Sequence, residues 1–375
     1  MKRQIIYFLL PLAGFFLLNF QSEKSNNFDL SVDSTRNIIL LIGDGMGLSQ
    51  ISAGMYSNDN SFSLEQFKTI GLHKTTAHND LITDSAAAAT AFSTGKKTKN
   101  GAIGLDSIGR EVPTIIEILS EVGMGTGLVA SSSITHATPA AFIAHRQSRG
   151  EQYGIAEDLA QSDLDFFIGG GLRYFNKRPD GNNLIKKLEK NSFEIYSSDN
   201  KQLNQIQINP LKKFAFFTAN EHPVKYSEGR ENLANATLKA IQYLNEKEAG
   251  FFLMVESSQI DWGGHDNDAD YVISEMLDFN QVILQALEFA RKDKNTLLIV
   301  TGDHETGGLS IEQGSKMNDL SLDFSTGGHT AALIPIFAFG PGAENFAGIY
   351  DNTAVFSKIL QSLGIEKADY RCLLK

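Results

Sequence analysis

The chain of 375 residues contains a single cysteine, Cys372, close to its C-terminus. A disulfide bond within one chain is therefore impossible, and the fold has to rest on a hydrophobic core. A chain of this length can bury such a core as one large domain or as two ordinary ones. The sequence has no internal repeat, and no linker is rich enough in small polar residues to divide the chain.

The sequence also lacks an excess of positive charge. Its 33 Lys and Arg residues stand against 44 Asp and Glu residues, which gives a formal net charge of -11. This balance argues against nucleic acids and anionic membrane surfaces as partners. An enzyme for anionic substrates would have to cancel this charge within its site, and bound metal ions can do so.

Long apolar runs are missing except at the N-terminus. Lys2 and Arg3 precede an apolar stretch over residues 5–20, and a polar run begins at Gln21. This pattern predicts a signal peptide over residues 1–21, and hence a periplasmic or secreted protein without a stable membrane span after processing. As a helix, the stretch would span about 24 Å, short of the roughly 30 Å of a bilayer core. An Ala-x-Ala cleavage pattern is absent, so a retained membrane anchor is the alternative.

One apolar run ends in an acidic residue that is enclosed by glycines, in the stretch Asn37-Ile-Ile-Leu-Leu-Ile-Gly-Asp44-Gly-Met-Gly47. The run predicts a buried strand, which would place Asp44 just beyond its carboxyl end, where open α/β sheets bind ligands. Burying an unpaired carboxylate is costly, so Asp44 would need a partner there. Taken alone, the stretch is also consistent with a solvated Gly-Asp-Gly turn.

An alanine-rich segment follows Thr83-Asp84-Ser85 and predicts a helix. Asp84 or Ser85 stands where an N-cap residue belongs, and capping is the simpler interpretation. A serine hydroxyl at a helix N-terminus also faces free N–H groups and the positive end of the helix dipole, which suits a phosphoryl oxygen. Both interpretations stay open at this point.

Apolar, strand-like runs alternate with helical segments along the rest of the chain. This alternation predicts an α/β fold with a mostly parallel sheet that is covered on both faces. Residues 140–149 are predicted to form a helix that carries Arg149, and a long amphipathic helix is predicted over residues 227–248. Residues 172–225 are more polar, and no chemistry is recognisable in them.

Seven carboxylate and imidazole residues share one context, since most of them follow an apolar run directly and stand beside a glycine. We expect them on loops. Carboxylates and imidazoles together suit zinc, and a further site with only oxygen ligands suits magnesium. The spacing of four residues can place two of these side chains on one face of a helical turn. The set therefore predicts a site for several metal ions and consists of Asp44, Glu256, Asp261, His265, Asp303, His304 and His329.

Taken together, these motifs resemble those of alkaline phosphatases, and the resemblance extends over residues 37–363. It implies a three-layer α/β/α sandwich around a large, mostly parallel mixed sheet. It further implies a single catalytic domain over residues 30–375, with a variable α/β segment near 172–225, and a homodimer, which is common in the family. The matching motifs are Gly43-Asp44-Gly-Met-Gly, Thr83-Asp84-Ser85-Ala-Ala-Ala-Ala-Thr90, Thr135-His136-Ala-Thr138-Pro139 with Ser148-Arg149, Val255-Glu256, Asp261-x-x-x-His265, Thr301-Gly-Asp303-His304-Glu-Thr-Gly and His329-Thr330.

The resemblance also implies a function and roles for these residues. The protein would hydrolyse small-molecule phosphate monoesters through a phosphoseryl intermediate on Ser85, and Arg149 would clamp the phosphate with its planar fork. Two zinc ions and one magnesium ion would assist, since two zinc ions about 4 Å apart can hold both the attacking and the leaving oxygen. The implied ligands are Asp261, His265 and His329 for one zinc, Asp44, Asp303 and His304 for the second, and Asp44, Thr138 and Glu256 for magnesium, with Asp44 as the bridge.

The resemblance implies that two further residues lie near the substrate, and both differ from the family pattern. His136 stands where many bacterial members carry aspartate near the magnesium, which leaves the identity of the third metal open. Trp262 stands where other members carry lysine or histidine over the phosphate. Because an indole brings no charge, we hypothesise that Trp262 stacks on an aromatic leaving group.

Three other functions are alternatives to that of a monoesterase. Sulfatases of the same superfamily use a Cys/Ser-x-Pro-x-Arg motif, whereas Ser85 is followed by four alanines. Diesterases usually lack the third metal site and the arginine clamp, so Thr138, Glu256 and Arg149 argue against that class. A non-catalytic, exported metal- or phosphate-binding protein would have to lack the nucleophile or a ligand, and every expected residue is present.

Overall fold

A large central sheet organises the structure, a computed structural model that describes residues 35–366. The predicted signal peptide and Cys372 lie outside the described residues. Among residues 35–366, no helix combines the length and the apolar character needed to cross a bilayer. The strands are β1 (Asn37–Gly43), β2 (Thr69–Lys74), β3 (Gly125–Ser133), β4 (Phe166–Gly170), β5 (Phe193–Ser197), β6 (Lys213–Phe217), β7 (Phe251–Ser257), β8 (Thr296–Gly302), β9 (Glu305–Thr306), β10 (Leu309–Ile311), β11 (Leu322–Phe324), β12 (His329–Thr330), β13 (Ile334–Phe339) and β14 (Gly348–Asp351).

The helices cover this sheet on both sides. Short 3₁₀ turns lie at Ser63–Gln66, Leu203–Gln205, Tyr226–Glu228 and Ala343–Phe346. The α-helices of the described residues are α1 (Leu48–Tyr56), α2 (Ser85–Thr94), α3 (Ile115–Glu121), α4 (Ala137–Ala140), α5 (Gln152–Leu159), α6 (Leu172–Asn176), α7 (Leu184–Lys190), α8 (Leu233–Leu244), α9 (Gln259–His265), α10 (Ala269–Asp293) and α11 (Ala354–Ser362).

Ten strands form the main sheet in the order β14-β2-β13-β8-β1-β7-β3-β4-β6-β5. Strand β13 runs antiparallel to both of its neighbours, β2 and β8, and all other pairs in the sheet are parallel. The predicted α/β fold with a mostly parallel mixed sheet is confirmed. Because parallel strands present their carboxyl ends at one edge, this order gathers the residues that follow β8, β1, β7 and β3.

The residues of β1 show how the sheet divides the core. All seven are buried, and alternate side chains point to opposite faces of a strand. Leu40 and Ile42 belong to the core shared with α2, α3, α5 and α11, whereas Ile39 and Leu41 belong to the core shared with α1, α8 and α10. A continuous apolar run is therefore the sequence expected of a strand that is covered on both faces.

Two predicted helices differ from the observed structure. Residues 140–149 are helical only at their start, where α4 ends at Ala140, because the backbone of Arg146 pairs with Ile103 and the N–H of Arg149 donates to the carbonyl of Gly101. The predicted helix over 227–248 is shorter and forms α8. It begins after Asn232, whose side chain accepts from the N–H of Ala234, because Gly229 takes a left-handed conformation (φ 95°) that ends the preceding turn.

Candidate active site

The carboxyl ends of four neighbouring strands bring most of the predicted site residues together. In the register of the sheet, Gly43 of β1 lies beside Gly302 of β8, and Ile42 lies beside Glu256 of β7. Asp44 and Asp303 therefore leave adjacent strands at the same level. Strand β3 leads to His136, which is the N-cap of α4, and to Thr138 within that helix. The expectation of loop positions holds for Asp44, Asp303 and His304. It is wrong for the other four, since Glu256 lies within β7, Asp261 and His265 lie within α9, and His329 lies within β12.

The side chains of Asp44, Asp303 and His304 form one group whose ligand atoms all lie within 4.8 Å of one another. His304 Nε2 lies 3.4 Å from Asp44 Oδ1 and 3.2 Å from Asp303 Oδ2. All three side chains are fully buried. Both carboxylate oxygens of Asp44 and Oδ2 of Asp303 lack a hydrogen-bond partner among the described residues. Buried, unpartnered anionic oxygens of this kind fit a bound cation.

A second group consists of Asp261, His265 and His329. Asp261 and His265 lie one turn apart on α9, with 3.4 Å between Asp261 Oδ2 and His265 Nε2. His329 is the first residue of β12, and this strand pairs with β9, which begins directly after His304. The Nε2 atom of His329 lies 3.4 Å from Asp261 Oδ1. Their Nδ1 atoms are engaged by carbonyl oxygens, of Gly327 for His265 and of Thr83 for His329. Both Nε2 atoms are thereby left directed at Asp261, as in a metal site whose histidines are oriented from behind.

The third group shares Asp44 with the first and adds Glu256 and His136. Thr138, the third predicted magnesium ligand, is fully buried, and its hydroxyl has no hydrogen-bond partner among residues 35–366. Oε1 of Glu256 is likewise unpartnered, while Ser132 donates to Oε2. The three buried oxygen donors are of the type that magnesium prefers, and the structure brings an imidazole beside them.

The sequence left open which residue caps α2 and which one faces the pocket, and the structure assigns capping to Asp84. Asp84 is the N-cap, and its Oδ1 accepts from the N–H of Ala87 at 2.9 Å. The hydroxyl of Ser85 is therefore not used for capping, and its Oγ lies 3.3 Å from His304 Nε2. The small, fully buried Ala86, Ala88 and Ala89 behind it let α2 pack tightly against the sheet.

Arg149 reaches the same pocket from a turn rather than from a helix. One of its terminal nitrogens donates to Oδ2 of Asp84 at 3.2 Å, and the other lies 3.3 Å from His136 Nε2. Because Asp84 is also the cap of the helix that carries Ser85, one carboxylate fixes the guanidinium relative to the serine. The arrangement directs a planar cation at the space in front of Ser85.

Thr306 is a site residue that the sequence analysis did not single out. Its hydroxyl donates to Oδ1 of Asp261 and lies 3.2 Å from Nδ1 of His304, so it connects the second group with the first. Gly45 makes room for this contact, because a Cβ at Gly45 would lie 2.8 Å from the Thr306 hydroxyl and 2.7 Å from Cα of Asp261, at a φ of +76°. The signal in the sequence was its place in the motif Asp303-His304-Glu-Thr-Gly.

The electrostatics of the buried carboxylates are dominated by burial and by mutual repulsion. Burial, together with the charges of Asp303, Asp261 and Glu256, raises the pKa of Asp44 well above its ordinary value. Burial and the charge of Asp261 raise the pKa of Asp303 to about 7. Burial also raises the pKa of Glu256. Without cations, these carboxylates are held charged at neutral pH only at a cost in free energy.

The pKa values of the histidines are set by burial and by the charged side chains near them. Its contact with Asp261 raises the pKa of His265 to about 9. Burial and the nearby Arg149 lower the pKa of His136 to about 3, and burial holds the pKa of His304 well below its usual range. His136 and His304 are therefore neutral at neutral and alkaline pH, which is the form in which an imidazole binds a metal ion.

Comparison with known proteins assigns this geometry to one family. The family model described as alkaline phosphatase matches residues 35–322. The chain is 35% identical to alkaline phosphatase 3 of Bacillus subtilis (strain 168), with 92% of the chain and 91% of the relative covered. The structure of alkaline phosphatase from the Antarctic bacterium TAB5 superposes with a TM-score of 0.85 at 47% identity and covers 89% of the chain and 99% of the TAB5 chain. A histidine-to-glutamate variant of that enzyme, described with Mg bound in the M3 site, matches with a TM-score of 0.84 at the same identity and coverage.

Proposed function

The chain belongs to the alkaline phosphatase family, and we propose that Ser85 is the nucleophile with which it hydrolyses phosphate monoesters. As a member of this metal-dependent family, the protein is a phosphoric monoester hydrolase that works through a phosphoseryl intermediate. The finer proposal concerns which residues do this work. The observation that supports it is the convergence of three potential ligand groups around Asp44, with Ser85 Oγ 3.3 Å from His304.

We propose that two zinc ions and one magnesium ion are held by these groups. One zinc would be bound by Asp261, His265 and His329, and the second by Asp44, Asp303 and His304. Magnesium would be bound by Asp44, Thr138 and Glu256, with His136 at its edge; the magnesium described in the M3 site of the TAB5 variant supports this choice. When bound, the ions lower the pKa of the serine hydroxyl and neutralise charge on the attacking and leaving oxygens.

The residues of the chain then orient the reaction. Ser85 stands at the first position of α2, where the positive end of the helix dipole favours a phosphoryl group. Arg149, fixed by Asp84, can hold two equatorial phosphate oxygens with its fork. Because displacement at phosphorus is in line, the leaving alcohol would lie opposite Ser85 Oγ, toward Asp261 and His265 on α9, the helix that also carries Trp262. No side-chain general base is needed in this scheme.

The proposal is tested by hydrolysis of p-nitrophenyl phosphate at alkaline pH, with and without a chelator. We expect the chelator to abolish activity, zinc plus magnesium to restore it, and metal analysis of the active protein to give about two zinc and one magnesium per chain. Absence of hydrolysis with both metals supplied, or activity that is insensitive to chelation, would contradict the assignment.

Trp262 gives a prediction about substrate choice. Its half-buried indole follows Asp261 on α9 and lies edge-on to His136, with 5.9 Å between ring centroids. If the indole stacks on an aromatic leaving group, Trp262→Ala should lower kcat/KM for p-nitrophenyl phosphate about three- to tenfold more than for an alkyl monoester. Side-by-side kinetics on the two esters check this, and an equal loss for both would refute the stacking role.

We also propose that the protein is exported after removal of residues 1–21, that residues 30–375 are one catalytic domain with a variable segment near 172–225, and that it forms a homodimer. Support for export comes from Lys2, Arg3 and the apolar stretch that follows them. N-terminal sequencing of the exported protein tests the first proposal, limited proteolysis tests the second and sedimentation analysis tests the third.

A further inference from the structure

His222 is a histidine to which the sequence analysis gave no role, on the segment between β6 and α8. The structure brings its ring within 5.0 Å of the Trp262 ring and 5.6 Å of the His136 ring, centroid to centroid, and both contacts are edge-on at 88° and 87°. His136 in turn contacts Arg149. The rings of His136, His222 and Trp262 therefore form one cluster, although they come from three separate parts of the chain. The cluster lines the side of the pocket next to Arg149.

The segment that carries His222 is held in place although the residue itself is exposed. Its Nδ1 accepts a hydrogen bond from the backbone N–H of Ser133 at 3.1 Å, which orients the ring. The next residue, Pro223, accepts at 3.2 Å from the amide of Gln259, and the carbonyl of Ala219 accepts from the N–H of Gly171. His222 is thus fixed from both sides.

The same bonds connect this segment with Trp262. Gln259 is fully buried at the start of α9, three residues before Trp262, and its Nε2 also donates to the carbonyl of Ser131. Its Oε1 accepts from the hydroxyl of Tyr271 at 2.7 Å. The start of α9, which carries Trp262, and the segment that carries His222 are therefore joined by one hydrogen-bonded framework, and the indole contacts the His222 ring within it.

We propose that His222 is a positioning residue for Trp262, and that the two rings form an aromatic wall that selects phosphate esters of aromatic alcohols. This inference rests on the proposed function, because it places the leaving alcohol beside Trp262. An edge-on ring holds the indole in a single orientation, so that its face can meet a planar leaving group. An alkyl alcohol gains little from such a wall.

The proposed role predicts which step of the reaction depends on His222. The alcohol has left before the phosphoserine is hydrolysed, so contacts with the alcohol act on phosphorylation of the enzyme and not on the second step. Loss of the wall therefore lowers kcat/KM for the aryl ester selectively. Where hydrolysis of the intermediate limits turnover, kcat stays the same for both esters.

Three variants distinguish the contribution of the His222 ring from that of its hydrogen bond with the Ser133 N–H. His222→Ala removes both. His222→Asn keeps an acceptor for the Ser133 N–H but removes the ring. His222→Phe keeps a ring but leaves that N–H without its partner, which lowers the melting temperature. His78→Ala, at an exposed histidine after β2, is the matched control.

We expect the ratio of kcat/KM for p-nitrophenyl phosphate to that for glycerol 2-phosphate to fall about three- to tenfold in the Ala and Asn variants. It should stay within about twofold of the parent in the Phe variant and in the His78 control. Equal losses for both esters, or a ratio that follows the melting temperature rather than the ring, would overturn the proposal. Inactivity of the parent protein in the same assay would instead refute the proposed function.

Discussion

Ser85→Ala is expected to lower the release of phosphate from p-nitrophenyl phosphate by at least about a thousandfold, because it removes the atom that takes the phosphoryl group. The fold should be unaffected, since Asp84 and not Ser85 caps α2. Acid-quenched parent enzyme should carry phosphate on Ser85 when examined by mass spectrometry of its peptides, and the variant should carry none.

Ser93→Ala is the matched control for this prediction. Ser93 is buried in the same helix, and its hydroxyl donates to the carbonyl of Ala141. We expect this variant to lose about 1 kcal/mol of stability and to retain turnover. Full turnover by Ser85→Ala, or phosphate trapped on another residue of the parent, would remove Ser85 as the nucleophile.

Asp44→Asn is expected to abolish activity and at the same time to stabilise the metal-free protein. Asp44 is the residue shared by two ligand groups, so the variant should stay inactive with excess zinc and magnesium. In metal-free protein, however, its fully buried oxygens have no hydrogen-bond partner among the described residues and face other carboxylates. Removing that charge should raise the free energy of unfolding of chelated protein by about 1–3 kcal/mol at pH 8.

The raised pKa values of the buried carboxylates also decide whether the stability of the metal-free protein rises or falls with pH. The pKa of Asp44 is raised, and the pKa of Asp303 is raised to about 7, above the value of about 4 for an unfolded carboxyl group. The folded, metal-free protein therefore binds protons more tightly than the unfolded chain, and its stability falls as the pH rises from about 4 through about 7. Asp44→Asn should make this fall smaller.

Denaturant unfolding of chelated protein at pH 5 and pH 8 measures both effects. Asp199→Asn, which removes a carboxylate from an exposed position, is the control and should change neither quantity. If metal-free Asp44→Asn protein is less stable than the parent at pH 8, the charged carboxylate of Asp44 does not destabilise the folded protein. Recovery of activity with added metal would show that Asp44 is not a required ligand.

The sequence predicted the architecture well, because local patterns carry it. The apolar run before Asp44 specified a strand that is buried on both faces, and the alanines after Ser85 specified a helix that packs tightly. Exceptions arose where contacts between distant segments override local preference. Residues 140–149 look helical in isolation, but pairing of Arg146 with Ile103 holds the segment out of a helix, and Arg149 reaches the pocket from a turn.

What the sequence by itself determined is the kind of chemistry: carboxylates and imidazoles follow strands, and a serine opens a helix. Tertiary structure alone decided which of them meet. The order β8-β1-β7-β3 and its register set Asp44 beside Asp303 and near Glu256, both of which lie more than two hundred positions after Asp44 along the chain. It also brought Thr306 between two ligand groups and His222 against Trp262. The physical reason is that side-chain periodicity is local, whereas the distances within a site are set by how strands align and how helices pack upon them.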